Sequence, residues 1–130
     1  MAFHTTTLNK GVDAIAPDGS EIRFLAEMSR ASAVHCTLPP GGVSKAVRHR
    51  TIEEIWYFLS GTGEVWRAQD GEEECVSVGT GVALTIPTGA HFQFRNTGDA
   101  PLRFVIATMP PWPGEQEAER VPDHWPTGAS

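Results

Sequence analysis

The sequence predicts a single all-β domain, a sandwich or barrel of short antiparallel strands. At 130 residues the chain is long enough for one hydrophobic core and too short for two. Its 13 glycines and 10 prolines recur at short intervals, and the runs between them are rich in β-branched and aromatic residues. We find no amphipathic helical pattern before residue 109.

Turn sequences separate the predicted strands. Combinations of Gly with Pro, Asp, Asn, Ser or Thr mark turns at residues 17–20, 39–42, 60–63, 69–72, 78–81, 87–90 and 96–101. The segments between these turns predict eight strands, at residues 21–26, 31–38, 55–59, 64–68, 75–78, 82–86, 92–96 and 102–108. This spacing is typical of an all-β fold.

Alternating side chains assign an inner and an outer face to several strands. Segments 82–86 and 102–108 each place three large apolar residues on one face, and segment 92–96 places both of its phenylalanines on one face. Segment 55–59 is apolar on both faces. That pattern predicts that a second sheet or a second subunit covers its outer face.

The composition argues against two classes of partner. The net charge is −6 with no basic stripe, so we expect no nucleic-acid partner. No apolar run approaches the roughly 20 residues that span a bilayer, and the first ten residues lack a signal-peptide core. We therefore expect no membrane partner and a cytoplasmic location.

Cys36 and Cys75 are far apart in the sequence and are expected to be two buried thiols without a disulfide.

The stretch 41–66 carries the clearest functional signal. Two apolar-rich runs flank a charged centre in which His49 and Glu54 are five residues apart. On adjoining strands these two side chains would face the same apolar interior. A histidine and a carboxylate in such a place indicate either a metal site or a site for proton transfer.

Residues 41–61 and 81–96 resemble the two conserved motifs of the cupin superfamily. The first motif has a glycine, two histidines, a glutamate and a closing glycine at fixed spacing, and this chain matches it at Gly41, His49, Glu54 and Gly61, with Val47 at the first histidine position. The second motif is matched at Gly81, Pro87, Gly89 and Asn96, with Phe92 where the family has its histidine. The resemblance implies a cupin-type antiparallel β-barrel, jelly-roll-like and commonly dimeric, with its site inside the barrel.

The resemblance also implies a divalent transition metal held by three histidines and one glutamate. Only His49 and Glu54 of that set are present, so a metal in this chain would need a further ligand from His91 or His35. Recruiting His91 would require a shifted strand register that turns the phenylalanines of segment 92–96 outward.

We therefore predict that the barrel binds a small molecule in an apolar cavity, with metal-free acid–base chemistry of the isomerase, epimerase or cyclase type. His49 and Glu54 are the predicted catalytic pair, and direct contact between them would favour the imidazolium form. The predicted pocket residues are Val47, Trp56, Phe58, Phe92 and Phe94. Two alternatives stay open at this point. One is a metal-dependent dioxygenase or isomerase with His49 and Glu54 among the ligands, and the other is a non-catalytic ligand-binding or sensing module.

The chain is predicted to divide at residue 112. Residues 1–112 form the barrel domain with its N-terminal strands, and residues 113–130 form a tail rich in proline and acidic residues. Trp112 and Trp125 are large apolar residues in polar surroundings, so we expect this region to dock on the barrel or on a partner chain. The two-faced strand and the aromatic tail together predict a homodimer.

Overall fold

The computed structural model describes residues 3–127, and the regular secondary structure over that range is almost entirely β-strand. Its eleven strands are β1 (Ala14–Ile15), β2 (Glu21–Glu27), β3 (Ser32–Leu38), β4 (Val47–His49), β5 (Glu53–Ser60), β6 (Thr62–Gln69), β7 (Glu72–Gly79), β8 (Ala83–Ile86), β9 (His91–Asn96), β10 (Leu102–Met109) and β11 (Ala118–Arg120). A single 3-10 turn, Glu115–Glu117, is the only helical element described. None of the helical structure in this range is long and apolar enough to cross a membrane.

Two antiparallel sheets enclose the core. The first sheet has six strands in the order β1-β2-β3-β10-β5-β8, and the second has five in the order β11-β4-β9-β6-β7. This arrangement confirms the predicted jelly-roll-like antiparallel barrel. All eight predicted strands are present, while β1, β4 and β11 were not predicted.

An aromatic cluster fills the space between the sheets. Trp56 and Phe58 from β5 lie against Phe104 from β10, with ring centroids 4.6–4.7 Å from Phe104, and Phe94 from β9 closes the group at 5.2–5.3 Å. Aromatic packing of this kind combines a large buried apolar area with favourable ring geometry. The predicted inward faces of β8, β9 and β10 are confirmed, because their large apolar residues are buried.

The outer face of β5 is apolar and exposed. Ile55, Tyr57 and Leu59 are 48 %, 49 % and 40 % exposed, so no second sheet within residues 3–127 covers them. The homodimer stays a prediction, and this face is its candidate surface.

Both cysteines are free, and Cys36 is buried as expected, whereas Cys75 is exposed on β7, contrary to expectation.

The tail contributes a strand to the second sheet. Ala118 lies opposite His49 and Arg120 opposite Val47, so β11 pairs with the strand that carries the histidine. Farther along, the side-chain amide of Gln93 donates to the carbonyl of Trp125 and accepts from its N–H. The last three residues of the predicted tail, 128–130, lie outside the described range.

Replacing Gly61 with alanine is expected to destabilise the fold by about 2 kcal/mol, because two penalties coincide there. Gly61 has φ +86°, and a Cβ atom would lie 2.5 Å from the carbonyl oxygen of Pro101. Urea denaturation would measure the loss. Gly71→Ala is the matched control, since its φ of +82° is similar but nothing lies within 4 Å of the added atom. An equal loss in both variants would contradict the role assigned to the close contact.

Candidate functional site

His49 and Glu54 come from different sheets and face one interior. His49 is the last residue of β4 in the five-stranded sheet, and Glu54 is the second residue of β5 in the six-stranded sheet. The turn 50–52 carries the chain from one sheet to the other. Both side chains are buried, at 4 % and 6 % exposure. The topology therefore brings the predicted pair together.

Glu54 is held by two hydrogen bonds. The indole Nε1 of Trp56 donates to its Oε1 at 3.0 Å, and the hydroxyl of Thr108 donates to its Oε2 at 2.8 Å. Burial nevertheless outweighs these donors and raises the pKa of Glu54 to about 7, because the ionised form loses its hydration inside the barrel. The carboxyl group is thus poised between its two protonation states near neutral pH.

His49 sits between aromatic rings. Its ring centroid is 5.0 Å from that of Phe92 and 5.6 Å from that of Trp112, both edge-on. Nδ1 is buried and has no hydrogen-bond partner among the described residues. Burial lowers the pKa of His49 to about 4, against the opposing charge of Glu117.

The two groups are near each other without a direct hydrogen bond. Nδ1 of His49 lies 3.9 Å from Oε1 of Glu54, which is beyond hydrogen-bond distance. The predicted carboxylate-stabilised imidazolium is therefore not what the site holds. Burial favours the neutral imidazole and the protonated carboxyl group instead. One ligand oxygen placed between them could reach both atoms.

Both groups line a cavity of about 470 Å³, a size ordinary for small-molecule sites. Its wall combines aromatic and aliphatic residues with Thr108 and a few carboxyl groups, and no Lys or Arg is among the lining residues of the described chain. Of the predicted pocket residues, Val47, Trp56 and Phe92 line this cavity. Phe58 and Phe94 do not, because they lie in the core and pack against Phe104.

Several lining residues were not predicted. Thr108 ends the inward face of β10, Trp112 packs over His49, and Asp18 enters from the turn before β2. Burial raises the pKa of Asp18 even though Ser20 donates to its carboxylate. The sequence did indicate that Thr108 faces the interior, since alternation places it on the same face as Ile106. For Asp18 the sequence indicated only a turn.

Glu117 was also missed, and it fixes the turn that separates the pair. Its side chain is 5 % exposed and accepts bonds from the N–H of Thr51 at 2.6 Å, from the hydroxyl of Thr51 at 2.6 Å and from the N–H of Ile52 at 3.0 Å. Burial alone would raise the pKa of Glu117, but these three donors outweigh it and hold the pKa below its usual value. The tail thus places a buried carboxylate behind His49.

The residues present do not fit the metal that the resemblance implies. At the four family positions only His49 and Glu54 offer donor atoms, whereas Val47 and Phe92 present hydrocarbon to the cavity. Across residues 3–127 no three His, Cys, Asp or Glu side chains lie close enough together to hold a metal ion. Protein metal sites for catalytic zinc or non-haem iron use three protein ligands.

The two candidate replacement ligands lie elsewhere. His91 is on β9, opposite Arg48 of β4, and it does not line the cavity, because the next residue, Phe92, takes the inward position. His35 lines a different pocket, on the face of β3 opposite to Val34 and Cys36. The structure therefore brings together His49 and Glu54 and leaves His91 and His35 apart from them.

Comparisons with known proteins agree on the fold. The chain is 29 % identical over 120 residues to the uncharacterized protein MJ1618 of Methanocaldococcus jannaschii, an alignment covering 88 % of this chain and 93 % of that protein. Among solved structures, the capsular polysaccharide assembling protein CapF of Staphylococcus aureus superposes with a TM-score of 0.72 at 18 % identity, over 88 % of this chain and 34 % of CapF.

Two further structures share this architecture. Oxalate decarboxylase of Bacillus subtilis matches with a TM-score of 0.66 at 21 % identity, over 75 % of this chain and 28 % of the enzyme. The cupin domain of Schizosaccharomyces pombe Cnp3 matches with a TM-score of 0.64 at 14 % identity, over 70 % of this chain and 61 % of that domain structure. This chain spans about a third or less of CapF and of oxalate decarboxylase, and these likenesses show the fold alone.

A family model described as the cupin domain matches residues 34–108, the segment from β3 to β10 that builds the barrel and carries both members of the buried pair. This match covers more than half of the chain, and the protein therefore belongs to the cupin family.

Proposed function

We propose that this protein binds a small uncharged carbonyl compound in its cavity and transfers a proton at the carbon beside the carbonyl group. One observation carries the proposal: Nδ1 of His49 and Oε1 of Glu54 lie 3.9 Å apart at the wall of a cavity lined mostly by apolar side chains. Because the donor set does not fit a metal, the chemistry is assigned to these two side chains.

The wall of the cavity favours an uncharged ligand. A carboxylate or phosphate would be buried next to Asp18 and Glu54 with no lysine or arginine to pair with it, which is energetically costly. The rings of Trp56, Phe92 and Trp112 offer apolar and edge contacts instead. A carbonyl oxygen needs one hydrogen-bond donor, and the protonated carboxyl group of Glu54 can supply it.

The proton transfer follows from the two protonation states. Protonated Glu54 donates its proton to the carbonyl oxygen while neutral His49 accepts a proton from the adjacent carbon, so the C–H bond breaks and an enol forms. The step leaves a carboxylate beside an imidazolium, and these opposite charges stabilise each other at close range. Return of the proton to either face of that carbon, or to a neighbouring carbon, gives epimerisation or isomerisation.

A deuterium-exchange experiment tests this proposal without knowledge of the natural substrate. Propiophenone, an uncharged aryl ketone, is incubated with the protein in D₂O, and loss of its α-proton signal is followed by ¹H NMR. We expect saturable exchange that falls by roughly 10²-fold or more in His49→Gln and Glu54→Gln. His91→Gln is the matched control, because this histidine lies outside the cavity, and it should keep the exchange rate.

The pH profile and the binding data separate the outcomes. Exchange should decline above about pH 7 as Glu54 ionises and below about pH 4 as His49 becomes protonated. If propiophenone binds but His49→Gln exchanges its α-proton as fast as the parent protein, the catalytic assignment is wrong and a ligand-binding module is the better description. That module is the second candidate function, and the two hydrogen bonds that already satisfy Glu54 favour it.

A further inference from the structure

A second pocket lies on the outer face of the six-stranded sheet, on the side of β3 away from the barrel interior. Its volume is about 610 Å³. The strand residues that form its floor are Glu21 and Arg23 of β2, His35 and Thr37 of β3, and Arg103 of β10. The N-terminal segment 8–10 and the prolines at positions 39, 40 and 101 complete its wall.

Strand register brings four of these side chains onto one face. Arg23 is directly opposite His35, and Arg103 is directly opposite Thr37. His35 and Thr37 are two residues apart on β3, so their side chains point to the same side of the sheet. The cluster is therefore a product of the barrel itself and not of a mobile loop.

The cations of this pocket are not neutralised by carboxylates. Arg23 donates to the carbonyls of Asn9 and Lys10 at 2.9 and 3.1 Å, and more weakly to the hydroxyl of Thr37 at 3.4 Å. Arg103 and Lys10 form no ion pair within residues 3–127. Glu21 is the one acid in the described lining. This concentration of positive charge stands out in a protein whose net charge is −6.

His35 supplies an independent indication of a ligand. Its side chain is 5 % exposed, and its Nδ1 is buried without a hydrogen-bond partner among the described residues. An unpaired polar atom in such a place is costly unless something binds it. Burial, together with the positive charges of Arg23 and Arg103, lowers the pKa of His35. An anion would remove part of that penalty.

We propose that this pocket binds a compact oxyanion, a phosphate or a carboxylate group, at a site separate from the barrel cavity. Arg103 and Lys10 provide the charge, Arg23 orients the site, and the hydroxyl of Thr37 and the ring of His35 complete the hydrogen bonds. Charge-assisted bonds of this kind are the strongest that side chains make to phosphate and carboxylate oxygens. The proposal does not depend on the chemistry assigned to His49 and Glu54, because His35 is on the opposite face of β3 from the cavity.

Titration calorimetry with inorganic phosphate, and in a parallel arm with acetate, tests the proposal at constant ionic strength. We expect saturable binding of at least one of the two anions, and the preferred anion identifies the source of the oxyanion. Arg103→Ala should weaken binding by about tenfold or more, since it removes a charge-assisted contact. Arg30→Ala is the matched control, because Arg30 is also exposed and makes no ion pair within the described residues.

A site-specific readout excludes a general charge effect. In ¹H–¹⁵N spectra, the imidazole signals of His35 should move on addition of the anion, and the pKa of His35 should rise, while the signals of His49 stay in place. The absence of saturable binding of either anion would overturn the proposal. Equal losses in Arg103→Ala and Arg30→Ala, or unchanged His35 signals at saturation, would overturn it as well.

Discussion

Replacing Glu117 with alanine is expected to lower the free energy of unfolding by about 3–4 kcal/mol. The substitution removes a buried carboxylate that accepts three hydrogen bonds from Thr51 and Ile52. Ile52 is fully buried, so its N–H would lose its partner with no access to water. Hydrogen bonds to charged groups contribute more than neutral ones, and a buried donor left unpaired adds its own penalty.

Urea denaturation of Glu117→Ala beside Glu119→Ala measures this effect. Glu119 is a matched control, two residues away with the same charge, whose carboxylate pairs with Arg48 and Arg50 at the surface. Surface pairs of this kind contribute about 1 kcal/mol or less. Similar losses in the two variants would show that the buried hydrogen bonds to turn 50–52 are not what stabilises the tail.

Glu54→Gln is expected to gain about 3 kcal/mol of stability relative to the parent protein as the pH rises from about 4.5 to about 7. Burial raises the pKa of Glu54 from 4.5 to about 7, so the folded protein holds a proton that the unfolded chain has already released. The contribution of Glu54 to stability is therefore fully present below pH 4.5 and lost as the pH rises through 7. Glutamine does not titrate and keeps its contribution.

His49 produces the opposite slope. Folding lowers the pKa of His49 from 6.5 to about 4, so between these pH values the unfolded chain binds a proton at this residue and the folded protein does not. The free energy of unfolding therefore rises with pH between about 4 and 6.5. The two slopes nearly cancel in the parent protein between about pH 4.5 and 6.5. We therefore expect a flat profile for the parent, with Glu54→Gln and His49→Gln deviating from it in opposite directions.

Urea denaturation at several pH values from about 4 to about 8 gives these differences directly. Glu72→Gln is the control, because it makes the same chemical change at an exposed position on β7. Parallel profiles for Glu54→Gln and the parent would mean that Glu54 titrates in the folded protein as it does in the unfolded chain. In that case Glu54 would be ionised at neutral pH, and its proposed role as a proton donor would be wrong.

The fold was predictable where its signal is local. Alternation identified β8, β9 and β10 and their inner faces, because each of these strands has enough residues for a period of two to show. The strands β4 and β11 have three residues each, too few for a pattern, and they are defined by pairing with distant strands: β11 pairs with β4, and β4 pairs also with β9. Pairing between positions about 70 residues apart leaves no trace in either segment alone.

The site was predictable in its residues and less so in its chemistry. Motif spacing identified His49 and Glu54, but it could not give the 3.9 Å gap or the burial that sets both pKa values. Alternation assigned Phe58 and Phe94 to the inner face correctly, but it does not tell whether an inward residue lines the cavity or packs in the core. Both residues were therefore predicted to line the pocket, although they pack in the core against Phe104. Glu117 is 65 residues from Ile52, and nothing near it in the sequence indicates their contact.

The pairing of β11 with β4 has a consequence for biosynthesis. During translation the chain emerges from its N-terminal end, and His49 and Glu54 are made long before their supports. Strand β4 can pair with β11 only after residues 118–120 have left the ribosome. In the same way, turn 50–52 can bond to the carboxylate of Glu117 only after that residue has emerged. Until then β4 is an open sheet edge able to pair with another chain. The nascent protein is thus vulnerable to misassembly at the strand that carries His49.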